Sequence, residues 1–178
     1  MFEELKNKIE KCRYCEEKFG FEPHPIFWGK ENSKIVQISQ APSNNVHNNL
    51  KPFTDQSGKT LKYEWYQIND EIFYDKEIFY IGALAHCYPG KDKNGNDKQP
   101  PKCCFNKWVK EELKLINNEI YIIIGAKASK IFFPNEKFEE LVFKNNTLNN
   151  KLAIVLPHPS PLNKKWIKDH PKFMNERI

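Results

Sequence analysis

The sequence predicts an α/β fold, a three-layer α/β/α sandwich around a central four-stranded, mostly parallel sheet. Apolar runs alternate along the chain with segments of helical periodicity, and residues 119–125, EIYIIIG, form a nearly continuous apolar run. Such alternation is typical of parallel sheets packed between helices, and continuous apolar strands are typical of sheets covered on both faces. The 178 residues suffice for one core, so we expect a single domain over residues 1–178.

The first half of the chain supplies two helices and two strands. Residues 2–9 carry apolar side chains at helical spacing, which predicts an N-terminal helix. Residues 34–41, KIVQISQA, predict the first strand, and residues 77–86, EIFYIGALAH, predict the second. Between them, residues 58–73 repeat apolar side chains on one helical face.

The second half continues the same alternation. Residues 103–116, CCFNKWVKEELKLI, predict a helix that leads into the third strand at residues 119–125. AKASKIFF at residues 126–133 predicts the next helix, and KLAIVLP at residues 151–157 predicts the fourth strand.

Unusual polar peptides follow each of the four predicted strands. These are SQAPS at residues 39–43, HCYPG at 86–90, GAKAS at 125–129 and PHPSP at 157–161. Parallel α/β sheets bind ligands outside the carboxyl ends of their strands. The sequence therefore predicts a functional rim at this end of the sheet.

Charge and hydropathy limit the class of protein. The formal net charge of +5 and the pI of about 8.8 permit a polyanionic partner without demonstrating one. No apolar stretch approaches the roughly 20 residues that a membrane-spanning helix needs. The N-terminus, MFEELKNKIEK, is charged and amphipathic, which is not typical of a signal peptide. We therefore expect a cytoplasmic protein with no membrane partner.

The five cysteines point to metal chemistry rather than to disulfides, because the count is odd and no secretory signal is evident. Cys12 and Cys15 form a CxxC pair, whose short loop lets both thiolates converge on one site. The remaining ligands would come from Cys87 and from one of the vicinal pair, Cys103 and Cys104. Spacing alone leaves structural zinc and an iron–sulfur cluster as alternatives, with ordinary free thiols as a third.

Six motifs in order resemble the uracil-DNA glycosylase superfamily, especially its iron–sulfur families 4 and 5. The motifs are CRYC, SQAPS, KPFTDQSGKTL, HCYPGK, CFNKW and LPHPSPLN, and they extend from Cys12 to about Trp166. One short motif would be a weak signal, whereas six in the family's order are a strong one. The resemblance implies a monomer that acts on DNA and hydrolyses the N-glycosidic bond of a flipped-out base, with water as the nucleophile.

The resemblance also implies a structural 4Fe–4S cluster. In the family pattern the fourth ligand precedes an aromatic residue by four positions, which matches Cys104. The ligands would then be Cys12, Cys15, Cys87 and Cys104, with the preceding cysteine a bystander. Zinc remains the alternative metal.

Roles for the rim residues follow from the same resemblance. Phe53 matches the aromatic residue that stacks on the base, and His158 matches the donor to the base oxygen, so the two side chains should face one pocket. Ser160 is expected to bind phosphate, and Leu162 to enter the gap left by the base. Without the resemblance, the simplest interpretation is that Phe53 is a core residue and that PHPSP is a rigid connector between a strand and a helix. Further DNA contacts are expected from Ser43, Asn163 and Lys164.

Two polar residues are candidates for handling the water. Asp55, in FTDQSG, could position water or stabilise a sugar cation, but it could equally be a helix N-cap. Gln40 stands where family 4 has a glutamate; an amide is no base, but it can orient water or contact the base edge. Ala41 and Asn44 are further candidates for contact with the base.

The identity of the base stays open, because Ala83 stands where family 4 has the asparagine that reads uracil. Recognition of the base would then depend on backbone groups, Gln40, Asn44 or His86, and uracil, hypoxanthine and xanthine all remain candidate bases.

A nucleic-acid binding module that keeps the fold and cluster without the chemistry is one alternative function. A hydrolase of small molecules or nucleotides at the same rim is another.

Overall fold

A five-stranded sheet runs through the centre of the protein in the computed structural model, which describes all residues 1–178. Its strand order is β2-β1-β3-β5-β4. Neighbouring strands are parallel except for β4, which is antiparallel to β5. The α/β class with a mostly parallel sheet is thus confirmed. The strands are β1 Ile35–Ser39, β2 Phe79–Ala83, β3 Ile120–Ile124, β4 Asn146–Leu148 and β5 Lys151–Leu156.

The fifth strand corrects the predicted count of four. β4 has only three residues and joins β5 through Asn149 and Asn150, whose φ angles are 51° and 60°. Asparagine tolerates this left-handed conformation, which two-residue hairpin turns require. A three-residue edge strand is too short to show an alternating pattern, so the sequence gives no periodic signal for it.

Helices and short helical turns connect the strands. A π-helical segment at Thr60–Trp65 continues α4, and another at Phe105–Val109 joins α6 to α7; a 3₁₀ turn at Pro161–Asn163 precedes α10. None of the helices is long and apolar enough to cross a membrane. The α-helices are α1 Phe2–Glu10, α2 Tyr14–Phe19, α3 Asn44–Asn49, α4 Gln56–Lys59, α5 Asp70–Phe73, α6 Lys102–Cys104, α7 Lys110–Leu115, α8 Ala126–Phe132, α9 Phe138–Val142, α10 Lys164–Asp169 and α11 Phe173–Arg177.

The helix predicted over residues 58–73 is divided in two. Its first part ends at Trp65, and Gln67, with a φ of 53°, then turns the backbone away from a helical path. Asn69 then caps α5, because its side-chain oxygen accepts the N–H of Ile72 at 3.0 Å. Apolar periodicity continues through this break, so periodicity alone does not reveal it.

The core holds the sheet rigid beneath the rim. Val36 and Ile38 of β1 pack with Tyr121 and Ile123 of β3 inside one cluster of 25 buried apolar residues. Four successive residues of β3 are buried, so helices or loops cover both faces of the sheet. Burial of each such aliphatic side chain contributes roughly 1.5–3 kcal/mol. The carboxyl ends of the parallel strands are therefore fixed relative to one another.

Candidate active site and cysteine cavity

A pocket opens at the carboxyl ends of the parallel strands. It encloses about 580 Å³, counting its open mouth. Apolar residues form much of its wall, namely Ile26, Val46, Ile81, Ala83 and Ala85. Polar groups also reach it from Ser39, Ser43, Asp55, Ser57 and His158. Phe53 and His158 line this same pocket, although 105 positions separate them in sequence.

His158 follows β5 directly and presents a neutral ring. Its Nδ1 accepts the backbone N–H of Ser160 at 3.1 Å, so the proton of the neutral ring lies on Nε2. Asn163 holds the same turn, because its amide donates to the carbonyl oxygen of His158 at 3.0 Å. Burial lowers the pKa of His158, and only the charge of Asp55 opposes this. At neutral pH the ring therefore offers the pocket an N–H donor.

Phe53 lies on the loop between α3 and α4. Its ring packs edge-on against Phe73, with ring centroids 6.0 Å apart. It is only partly buried, and its exposed part belongs to the pocket wall. The ring therefore contacts the core and also lines the pocket.

Asp55 caps a helix and also lines the pocket. Its Oδ1 accepts the N–H of Gly58 at 3.0 Å, which makes it the N-cap of α4. Its Oδ2 accepts the hydroxyl of Ser43 at 3.4 Å. The hydrogen bonds fix the carboxylate in the wall, so the capping role does not exclude a role in the pocket.

A second cavity, of about 360 Å³ counting its open mouth, is lined by all five cysteines. It joins the segment around α1 and α2 to the turn after β2 and to α6. Two N–H groups point at its sulfur atoms. The backbone N–H of His86 donates to Cys104 Sγ at 3.4 Å, and Trp108 Nε1 donates to Cys12 Sγ at 3.3 Å. Cys103, expected to be a bystander, therefore shares the cavity.

Three of the thiols are buried and those of Cys12 and Cys103 are partly buried, but the five do not converge on one point. Burial raises the pKa of Cys15 to about 11 and the pKa values of Cys87 and Cys104 to about 12. No three Cys, His, Asp or Glu side chains lie close enough together to hold a single metal ion. Tetrahedral zinc, with Zn–S bonds of about 2.3 Å, would need such convergence.

A family model described as the Uracil DNA glycosylase superfamily matches residues 26–178. The chain belongs to the uracil-DNA glycosylase superfamily. The match contains Cys87, Cys103 and Cys104, whereas Cys12 and Cys15 precede it. The second cavity connects this N-terminal CxxC to the part of the chain that the superfamily model covers.

Two curated relatives carry the name type-4 uracil-DNA glycosylase. The protein from Saccharolobus solfataricus is 26% identical over 142 residues, which are 77% of this chain and 62% of the relative. The protein from Sulfurisphaera tokodaii is 19% identical over 132 residues, which are 74% of this chain and 57% of the relative. The chain thus spans about three fifths of the length of these relatives.

The remaining predicted base contacts divide between the pocket and its surroundings. Ala41 and Ser43 line the pocket of this superfamily member, as does Ala83. Gln40 is partly buried at the end of β1, outside the pocket wall, and Asn44 is largely exposed in α3. The structure therefore does not bring the side chains of Gln40 and Asn44 to the pocket.

The predicted DNA contacts after His158 lie outside the pocket wall. Ser160 caps the 3₁₀ turn, where its Oγ accepts the N–H of Leu162 at 3.2 Å. Leu162 is 96% exposed, and Lys164 begins α10 with an exposed side chain. Asn163 already binds the carbonyl of His158, so its amide supports the turn.

His86 is not available to a base in the pocket. Its Nδ1 lies 3.0 Å from the carbonyl oxygen of Ile26, and its Nε2 lies 3.1 Å from Glu112 Oε2. Nε2 is poorly aligned for a directed hydrogen bond, so the second contact is an ion pair. Burial favours neutral imidazole, but the Glu112 carboxylate outweighs it and the pKa of His86 is raised.

Ile26 forms part of the pocket wall, although no sequence motif predicted it. Ile26 contributes to it from a segment outside the helices and strands, held by a hydrogen bond from its N–H to the carbonyl of His86 at 2.8 Å. The preceding Pro23-His24-Pro25 repeats the proline-flanked histidine of PHPSP, which is the one local signal available. Ser39 and Ser57 also line the pocket without a distinctive motif.

Proposed function

We propose that this chain is a monofunctional DNA glycosylase that hydrolyses the N-glycosidic bond of uracil, or of another deaminated base, flipped out of DNA. One observation carries the proposal: an aromatic ring and a neutral imidazole with a free N–H line a single pocket. A flipped base requires a face to stack on and a donor to its edge. The relatives named type-4 uracil-DNA glycosylase support the same activity.

In this proposal His158 stabilises the leaving base. Cleavage of the N-glycosidic bond leaves negative charge on the base, so the Nε2–H donor is worth more in the transition state than in the ground state. Phe53 holds the base against the wall. The neutral ring of His158 needs no proton exchange to act, because its tautomer is set by the N–H of Ser160.

Asp55 is the group that we propose for the water and the sugar. Its carboxylate reaches the pocket with a fixed orientation, since Gly58 and Ser43 both donate to it. A negative charge there would stabilise the developing sugar cation and orient a water molecule. No lysine lines the pocket, which supports water rather than an amine as the nucleophile.

Discrimination between bases would depend on small side chains in the pocket wall. Ala83 offers no amide, and Ser39, Ser43 and Ser57 carry hydroxyls that can donate or accept. Hydroxyls that rotate discriminate weakly between carbonyl and amino groups on a base. Uracil, hypoxanthine and xanthine are therefore all candidate substrates.

The rim after β5 is proposed to contact the DNA backbone. Ser160 and Lys164 could bind phosphates, and the exposed Leu162 could enter the space that the flipped base vacates. An apolar side chain so fully exposed beside the pocket supports this role.

We also propose that the cysteine cavity holds a 4Fe–4S cluster. Buried and partly buried thiols that line one cavity without converging on one point, with N–H donors directed at two of the sulfurs, suit a multi-iron cluster better than one zinc ion. The proposed ligands are Cys12, Cys15, Cys87 and Cys104. The cluster would supply a cross-link between the N-terminal segment and the sheet, not a redox step in base removal.

Oligonucleotides carrying a single uracil, hypoxanthine or xanthine test the proposed function. We expect abasic product, detected by alkaline strand cleavage, from at least one of them in single- or double-stranded form. Binding without abasic product would favour a DNA-binding module without chemistry, for which Gln40 and Ala83 in place of the family's Glu and Asn are the specific observation. Cleavage of free nucleosides alone would indicate a small-molecule hydrolase.

A further inference from the structure

The backbone of Phe53 has a conformation that bulky residues rarely adopt. Its φ is 53°, in the left-handed region that favours glycine. Such a residue persists only where its surroundings hold it, and these residues concentrate at functional sites. Groups on two sides of Phe53 hold it in this conformation.

Gly58 closes one side of this residue. A Cβ atom at position 58 would lie 1.9 Å from the carbonyl oxygen of Phe53, so only glycine fits. The N–H of Gly58 already donates to Asp55 Oδ1, so it is not free to donate to the carbonyl oxygen of Phe53. The close approach therefore requires glycine at position 58 but supplies no hydrogen bond to Phe53.

Tyr74 supplies that hydrogen bond from the other side. Its hydroxyl lies 2.8 Å from the carbonyl oxygen of Pro52 and 3.1 Å from that of Phe53. Burial raises the pKa of Tyr74 well above its usual value, so the hydroxyl stays a donor. The ring itself is fixed by an edge contact with Trp28, at a centroid distance of 5.3 Å, and by the ammonium of Lys51, 3.9 Å from its centroid.

A buried lysine sets the direction of this hydroxyl. Lys62 is 4% exposed, and its Nζ lies 3.4 Å from the Tyr74 oxygen and 2.6 Å from Asp70 Oδ1. Because an ammonium can only donate, the Tyr74 oxygen accepts from Lys62 and must direct its one proton to the two carbonyls. The π-helical segment Thr60–Trp65 carries Lys62 into this position.

We propose that Tyr74, backed by Lys62, is a positioning residue that holds Phe53 left-handed and so presents its ring to the base. Neither Tyr74 nor Lys62 lines the pocket, so both act through Phe53. The effect on base removal rests on the proposed function, whereas the effect on the loop at residues 51–58 does not.

Tyr74→Phe tests the inference, because it keeps the ring and removes only the hydroxyl. We expect single-turnover base removal to slow by about 5- to 10-fold, as for loss of one hydrogen bond. Phe53→Ala should slow it more, and adding Tyr74→Phe to Phe53→Ala should change nothing further. Additive losses in the double variant, or an undiminished rate in Tyr74→Phe, would overturn the inference.

Amide hydrogen exchange supplies a readout that does not need activity. In Tyr74→Phe, exchange in peptides covering residues 51–58 should quicken several-fold while peptides from β3 stay unchanged. Tyr63→Phe is the matched control, because its exposed hydroxyl donates to the same Asp70 at 2.7 Å without touching Phe53. Its rate and exchange should match the wild type.

The two readouts separate the inference from the proposed function. If the wild type removes no base, the proposed function fails, and exchange at residues 51–58 alone decides the positioning role. Lys62→Met provides a second variant in case Tyr74→Phe folds poorly, and it should act in the same direction. Unchanged exchange in both variants rejects the positioning role whatever the activity.

Discussion

Two histidines, His86 buried and His158 partly buried, follow strands of the same sheet, yet only one of them keeps a ring N–H free for a ligand. His86, after β2, is 4% exposed and has both ring nitrogens facing protein acceptors, Ile26 O and Glu112. His158, after β5, has only Nδ1 engaged, and its Nε2–H is left for the pocket. The pKa of His86 is raised by its carboxylate partner, and burial lowers the pKa of His158.

The difference shows how to separate a structural imidazole from a functional one. His86 belongs to a closed network, since Tyr80 also donates to Glu112 and the backbone N–H of His86 supports Cys104. Both of its ring nitrogens face groups of the protein and neither faces the pocket. His158 keeps one donor uncommitted at a cavity, which is what a base-binding group needs.

The largest expected effect is on stability at the β2 side. Glu112→Ala removes the partner of two buried groups, the Tyr80 hydroxyl and His86 Nε2, which should cost about 3–5 kcal/mol of unfolding free energy in urea denaturation. Glu111→Ala is the matched control, because Glu111 pairs with Lys114 at the surface, and it should cost less than about 1 kcal/mol. Equal losses in both variants would contradict the closed network at His86.

The second-largest effect is expected from His158→Ala, which should lower the rate of base removal rather than the stability. Removing the free donor should slow single-turnover base removal by about 10²–10³-fold, while the urea midpoint stays near that of the wild type. A rate unchanged by His158→Ala would remove this residue from the chemistry and leave the two histidines functionally alike.

The adjacent Cys103 and Cys104 can be compared directly as ligands of the proposed cluster beside His86. Cys104→Ser should lose most of the iron and the absorbance near roughly 400 nm, whereas Cys103→Ser should keep both, with about four iron atoms per chain. The reason is that Cys104 Sγ already accepts the N–H of His86 and lies deeper in the protein. The reverse result would assign the ligand to Cys103, and a colourless wild type with bound zinc would reject the cluster.

A smaller effect is expected from pH. Because burial lowers the pKa of His158 below its ordinary 6.5, the rate should stay level as pH falls through 6.5 and drop only at lower pH. Protonated Nδ1 can no longer accept the N–H of Ser160, so the turn that aims the ring is disrupted. A rate profile from pH 4.5 to 8.5 whose acid limb lies at or above 6.5 would contradict the neutral ring.

Linkage gives the same histidine an effect on stability. The unfolded chain takes up its proton near pH 6.5, before the folded chain does, so the wild type should lose stability relative to His158→Ala as pH falls below 6.5. We expect similar urea midpoints for the two proteins at pH 7.5 and a shift against the wild type at pH 5.5; an unchanged difference between the two pH values would contradict the lowered pKa.

Much of the fold could be predicted because its signals are local. Four strands were evident as apolar runs, and β3 was the clearest, since it is buried on both faces. β4 was missed because three residues carry no periodicity. The apolar pattern over residues 58–73 predicts one helix, but the helical part ends at Trp65 and the left-handed Gln67 follows without interrupting that pattern.

By itself the sequence determined the α/β class and the polar motifs that follow the strands, because hydrophobic periodicity and motif order are local. The resemblance of those motifs to the superfamily made Phe53, Asp55, His158 and the cysteines candidates. Only the tertiary structure decided that Ile26 lines the pocket, that Gln40 does not, and that Tyr74 supports Phe53. It also decided which histidine keeps a free donor. Hydrogen-bond partners from distant segments settle these properties, and their approach depends on how the whole sheet packs rather than on neighbouring residues.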